Sequence, residues 1–299
     1  MAHVVVPEAE ALLDVEISVL DKGFVRLVDY LGGDERIVQA ARVSYGKGTK
    51  TVREDRGLIN YLMRHMHTSP FEQVILTFHA KMPIFVARQW VRHRTARLNE
   101  ISGRYSIMKD EFYVPDPLVI RRQSTQNRQG RDEEALTPEL CARVADLILK
   151  DQSRAYSDYE SMLGDDIARE LARINLPLSL YTEWYWQIDL HNLFHFIQLR
   201  TDPHAQWEIR EYGRALAKCA KAVSPMAYGA FEENRQFGAR LSRAELGALR
   251  AMLRGEPCPL KGRVKREFLE KLDISEDAQP KPDVESGQPQ PAGKNPAQR

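Results

Sequence analysis

Cysteine is scarce: Cys141, Cys219 and Cys258 are the only three in 299 residues, and they are odd in number and widely spaced. They make neither a disulfide framework nor a CxxC metal knuckle, which fits a reducing compartment and leaves them as buried or incidental thiols. Long apolar runs are missing as well. No stretch of 18 or more uncharged apolar residues occurs, so no membrane span is expected. The opening MAHVVVPEAEALLDVEISVL lacks the basic region and apolar core of a secretion signal, and the expected compartment is the cytoplasm. An excess of one charge is absent too: 43 basic and 42 acidic side chains leave +1, which argues against a nucleic-acid-binding surface. There is no GxGxxG fingerprint to place a nicotinamide cofactor and no internal repeat. His191 and His195 share a helix face, but residue 192 is Asn rather than the Glu of HExxH, and no metal site is expected.

What is present is a chain with 43% apolar residues, enough for a sizeable core. Helical spacing covers the region around Arg36 to Val43 and Glu54 to Met66, ending near Pro70. QVILTFHAKM (73–82) reads as a strand, and Pro83 opens a helix over IFVARQWVRHR. A polar segment at 95–106 and a solvent-exposed loop from Pro115 to Glu134 follow. The second half is expected to be helical, from Leu140 to Met162 and then over 165–175, 181–200, 204–222, 242–252 and 263–272. The aromatic stripe Trp184, Tyr185, Trp186, Phe194 and Phe196 reads as packing. After Ser275 the sequence is rich in proline and has no aromatics, so residues 276–299 are expected to be a disordered tail. The pattern predicts one α/β domain over 1–275, with a mixed or antiparallel sheet flanked by helices.

The densest chemistry lies in QWVRHRTARLNEISGRY (89–105). Arg92, His93 and Arg94 precede Asn99, Glu100, Ser102 and Arg104. Arginine forks suit phosphate, and Glu100 adds an acceptor that a sugar or base can use. On composition alone, a nucleotide site and a salt-bridged surface loop both remain open.

The order of these residues resembles the signature of flavin-dependent thymidylate synthases, an RHR followed at fixed distances by N, S and RY. Arg97 departs from it, since the family commonly has serine there. The resemblance continues through HMHTSPFE (65–72), ARINLP (172–177), Asp189, His191, Asn192 and His195, then Leu199-Arg200 and HAQWE (204–208). It implies an FAD site built from Ser69, Arg92, His93, Arg94, Glu100, Asp189, His191 and His195. It implies dUMP-binding positions at Gln89, Arg92, Glu100, Ser102, Gly103, Arg104 and Arg173. It assigns Arg200 to polarising the substrate base and His67 to the flavin and folate side. The implied reaction converts dUMP to dTMP with methylenetetrahydrofolate as carbon donor and NADPH-reduced FAD as hydride source, releasing tetrahydrofolate. The implied assembly is a homotetramer with shared active sites, with no nucleic acid or membrane partner. A nucleotide- or RNA-binding module, and an inactive relative that keeps the fold, are the competing readings. Local roles compete as well: Arg200 as a helix-end cap, Arg173 as a partner of Glu170, and His67 as a helix terminator.

Overall fold

The computed structural model describes residues 4–43, 52–125 and 130–275; the expected tail at 276–299 lies outside them. The chain divides into two compact units, Met1–Phe237 and Gly238–Arg299. In the first, the elements run α1 (Pro7–Glu10), β1 (Glu16–Val19), β2 (Gly23–Leu31), α2 (Asp34–Ala41), α3 (Val52–Arg64), β3 (Ile75–Pro83), α4 (Ile84–Trp90) and β4 (Arg97–Glu100). They continue with β5 (Arg121–Gln123), β6 (Arg131–Ala135), α5 (Pro138–Gly164), α6 (Arg169–Ala172), β7 (Tyr181–Asp189), α7 (Leu190–Arg200), α8 (Trp207–Val223) and α9 (Pro225–Phe231). The fold is α/β, with a five-stranded sheet in the order β1-β2-β3-β7-β4, antiparallel throughout.

Period-two burial builds this sheet. Leu76, Phe78, Ala80 and Met82 of β3 and Thr182, Trp184, Trp186 and Ile188 of β7 are buried, with less buried residues between most of them. On α8 the inward stripe of Ile209, Tyr212, Leu216, Cys219, Ala220 and Val223 is buried at helical spacing. Tyr212 runs under the sheet and donates its hydroxyl to the Lys81 carbonyl at 2.8 Å. Residue 23 has to be glycine for that approach, because a Cβ there would stand 2.0 Å from the Tyr212 oxygen.

Four parts of the sequence reading are corrected. Residues 181–200 are not one helix: 181–189 form β7 and the helix starts at Leu190. The run YTEWYWQI alternates buried and less buried positions over most of its length, and its aromatic and β-branched side chains fit a pleated surface. The change occurs at Asp189, whose carboxylate accepts the Asn192 N–H at 2.9 Å and so caps α7. The segment 115–134 is not all loop, since β5 and β6 pair as an antiparallel hairpin. Residues 165–175 form only the four-residue α6 and one 3₁₀ turn. The polar segment 95–106 also contains an unexpected edge strand, β4.

The aromatic stripe packs as expected, with Trp184, Trp186, Phe194 and Phe196 buried and Tyr185 facing outward. Trp90, the last residue of α4, is the hub: its ring centroid lies 5.4 Å from Trp184, 5.2 Å from Trp186 and 5.1 Å from Phe196. Edge-on aromatic contacts of this kind hold a helix end firmly. The Arg92-His93-Arg94 turn follows directly from it. In the second unit, α10 (Arg243–Leu253) and α11 (Gly262–Lys271) enclose Ala248, Phe268 and Leu269. A Ser242–Glu245 capping box starts α10.

Candidate active site

The RHR turn leaves the anchored end of α4 and meets the last turns of α7. Arg200 Nε donates to His93 Nε2 at 3.0 Å, and Arg200 Nη2 donates to the Gln89 backbone carbonyl at 3.3 Å. Three residues singled out separately in the sequence therefore touch. Around them lies a cavity of about 450 Å³ whose lining includes Arg92, His93, Arg94, His195, Asn192 and Arg200 and, among the described residues, contains no carboxylate. Burial, together with the charges of Arg200 and His195, holds the His93 imidazole down at a pKa of about 4. His93 is thus neutral at physiological pH and free to accept from Arg200. Burial and neighbouring Arg92 lower the Arg200 pKa without a carboxylate nearby to compensate. A partly buried guanidinium facing a cationic cavity is costly unless an anion completes it. Arg200 ends α7, but it hydrogen-bonds to α4 and the RHR turn.

The remaining expected positions form two further groups. At the far end of β4, a cavity of about 250 Å³ is lined by residues including Glu100, Gly103, Met108, Arg173 and Thr182. Glu100 accepts a hydrogen bond from the Thr182 hydroxyl at 2.6 Å. Gly103 packs so closely that an added Cβ would stand 3.0 Å from Arg173 Cδ. Ser102 Oγ accepts the Arg104 N–H at 3.3 Å, and it is Arg104, not Arg173, that pairs with Glu170, at 3.0 Å. Tyr159 and Tyr156 of α5 bind the backbone of Met108 at both its carbonyl and its N–H, which fixes the loop after SGRY. At the start of α7, Asp189 and His191 lie near the 68–72 turn. Burial lowers the His191 pKa, and Glu72 and Asp189 oppose the shift. His67 and Ser69 stand exposed where α3 has ended, with the His67 N–H bonded back to the Leu62 carbonyl at 2.9 Å. Arg97 reaches across to Gln187 at 3.2 Å.

The Arg200 cavity and the Gly103 cavity thus sit at opposite ends of β4, whose four residues span about 10 Å. They do not merge within one chain. A larger cavity of about 750 Å³ between β1, residues 113–117 and α8 contains none of the expected residues.

Gln206 and Glu208 belong to the site although no motif assigned them a role. The Gln89 side-chain amide donates to Gln206 Oε1, and Gln206 Nε2 donates to Glu208 Oε2 at 2.9 Å. A carboxylate only accepts, so Glu208 fixes which way the Gln206 amide faces, and Gln206 in turn fixes Gln89. Gln89 is left presenting its carbonyl oxygen. The only sequence signal was the position of HAQWE just after Arg200.

A family model described as thymidylate synthase complementing protein matches residues 26–226, and one described as the thymidylate synthase ThyX C-terminal domain matches 239–275. The flavin-dependent thymidylate synthase of Treponema denticola is 60% identical over 260 residues, covering 87% of this chain and 98% of the relative. That of Thermus thermophilus is 60% identical over 240 residues, covering 80% and 87%. Among solved structures, the UMP/dUMP methylase PolB from Streptomyces cacaoi bound with 5-Br UMP superposes with a TM-score of 0.66 at 32% identity, covering 74% of this chain and 98% of that one.

Proposed function

The chain belongs to the flavin-dependent thymidylate synthases, and from that membership we propose that it methylates C5 of dUMP to give dTMP in the cytoplasm. The carbon comes from methylenetetrahydrofolate, NADPH reduces FAD, and tetrahydrofolate is released. The observation that carries this reading is the contact of Arg200 with His93 and Gln89 at the edge of a cavity without carboxylates.

A uracil ring is a poor nucleophile at C5 unless negative charge can gather at N3 and O2. Arg200 supplies the opposite charge. Of the five N–H groups of a guanidinium, two are engaged by His93 and Gln89, and three remain for the pyrimidine edge. The Gln89 side chain, oriented through Gln206 and Glu208, keeps its amide oxygen free to accept. Arg104, Arg173 and Ser102 hold the substrate phosphate, and Glu100 and Gly103 shape that end of the site. The donor set around Arg200 also fits a flavin nucleotide, since arginine forks take a diphosphate and no carboxylate opposes it. Arg92, His93, Arg94 and His195 would hold it, with Ser69, Glu100, Asp189 and His191, and with His67 on the folate side. When bound, FAD supplies the hydride that turns the methylene bridge into a methyl group. Because the two groups of residues stand at opposite ends of β4, a homotetramer would join the phosphate side of one copy to the Arg200 side of another.

Purified protein with dUMP, methylenetetrahydrofolate, FAD and NADPH should form dTMP and tetrahydrofolate; a yellow protein that forms neither would rule this reaction out. A second result is expected at the phosphate end. Gly103→Ala sets a Cβ against Met108 Sδ and the Arg173 side chain, an overpacking penalty of about 1–2 kcal/mol, and should raise the KM for dUMP roughly tenfold. A KM within twofold of wild type would place the phosphate elsewhere.

A further inference from the structure

The β5–β6 hairpin and the start of α8 enclose a cavity of about 330 Å³ that none of the roles above uses. Among the described residues, Arg121, Arg122, Arg131, Arg210 and Gln206 line it, and no carboxylate does. Arg131 is neutralised from behind by the buried Glu208. The other three have no such counter-charge among the described residues. Arg121 donates to the Ile120 carbonyl at 3.3 Å, and neither Arg122 nor Arg210 has an ion-pair partner among the described residues. Arg210 Nε is shielded from water and makes no hydrogen bond. Converging cations repel, and a desolvated N–H without an acceptor is unfavourable, unless an anion completes both. The forked donors of arginine suit carboxylate and phosphate oxygens equally well.

The position narrows the choice of anion. Gln206, on the wall of this cavity, is hydrogen-bonded to Gln89, whose carbonyl is held by Arg200. Gln89 therefore links the wall of this cavity, through its side chain, to Arg200, through its backbone carbonyl. We propose that it is a subsite for the oxyanion end of a co-substrate whose reactive end lies at the Arg200 cavity. This rests on the functional reading above, which supplies two arms of that chemistry: the glutamyl carboxylates of the folate and the phosphates of NADPH.

Binding of each ligand to the full-length protein separates them. Titration would compare tetrahydrofolate monoglutamate with its pentaglutamate, and NADH with NADPH, for wild type, Arg122→Gln and Arg210→Gln. Arg122 is exposed, so its variant should melt as wild type does. In one of the pairs wild type should prefer the more anionic member by tenfold or more at low salt. Each substitution should reduce that preference by about tenfold, and added salt should weaken it. Preference for the pentaglutamate assigns the glutamyl chain, and preference for NADPH assigns the phosphate. If neither pair is discriminated, or the variants discriminate as wild type does, the subsite is refuted. These titrations need no turnover, so an absence of dTMP would count against the reaction and not against the cavity.

Discussion

Arg200→Ala should lower kcat for dTMP formation by about 10²–10³, equivalent to roughly 3–4 kcal/mol of transition-state stabilisation, while the protein keeps its flavin colour. The magnitude follows from how the group is held. Arg200 is partly buried, fixed through Nε and Nη2, and uncompensated by any carboxylate in its cavity. A preorganised charge in such a place needs no reorganisation when charge develops on the pyrimidine. Arg200→Lys restores the charge but not the planar fork, and should recover only a minor part of the rate. His93 provides a readout separate from turnover. Burial and Arg200 together hold its pKa at about 4, below the usual 6.5, so removing the guanidinium should let it rise. Between pH 6.5 and 4 the unfolded chain binds this proton more readily than the folded one, so wild-type stability falls as pH drops through that window, and the variant should lose less over it. An NMR titration of the His93 ring would follow the shift. Turnover within threefold of wild type would show that charge at this position does not drive the chemistry.

The parts of the fold that could be read from the sequence are those whose patterns are self-sufficient. The 27-residue α5 announces itself through the apolar spacing from Leu140 to Met162, and the structure extends it back to Pro138, where the Thr137 hydroxyl accepts the Leu140 N–H. β3 announces itself through β-branched and aromatic residues. β7 was hidden because Trp184, Ile188 and His191 also lie three or four apart, so a short aromatic run adjoining a true helix satisfies both periods. Its place between β3 and β4 decides the matter, and that is a tertiary fact. β4, β5 and β6 are too polar to show alternation at all. For the site, the signature named Gln89, Arg92, His93, Arg94 and Arg200, and the fold brings these together. Their separation from Gly103 and Arg173 depends on which end of β4 each occupies, which spacing in the chain does not reveal. Glu208 was invisible for another reason. A glutamate in the first turn of a helix ordinarily answers the helix dipole, so nothing marked this one as buried.

Glu208 is where the largest loss of stability should follow from one substitution. The residue is 1% exposed, and its carboxylate accepts from Arg131 Nη2, Tyr113 Oη at 3.2 Å and Gln206 Nε2 at 2.9 Å. Burial, reinforced by Glu208 itself, raises the Tyr113 pKa, so this phenol stays protonated and keeps donating. Glu208→Leu leaves a guanidinium, a hydroxyl and an amide without their acceptor. Breaking one side of a buried pair typically costs about 3–5 kcal/mol, and about 3 kcal/mol corresponds to a fall in Tm of roughly 6–12 °C for a chain of this size. The second substitution Arg131→Met should return much of that loss, because an apolar pair needs no desolvation, whereas two independent defects would add. Glu208→Gln asks a different question of the same network. Its amide can donate where the carboxylate could only accept, so Gln206 is free to turn over and Gln89 can present its NH₂ in place of its carbonyl oxygen. That variant should keep most of its stability yet raise the KM for dUMP more than it lowers kcat. Glu208→Leu with an unchanged melting curve, or Glu208→Gln with unaltered dUMP kinetics, would mean that the hairpin anchor and the orientation of Gln89 are not coupled through this carboxylate.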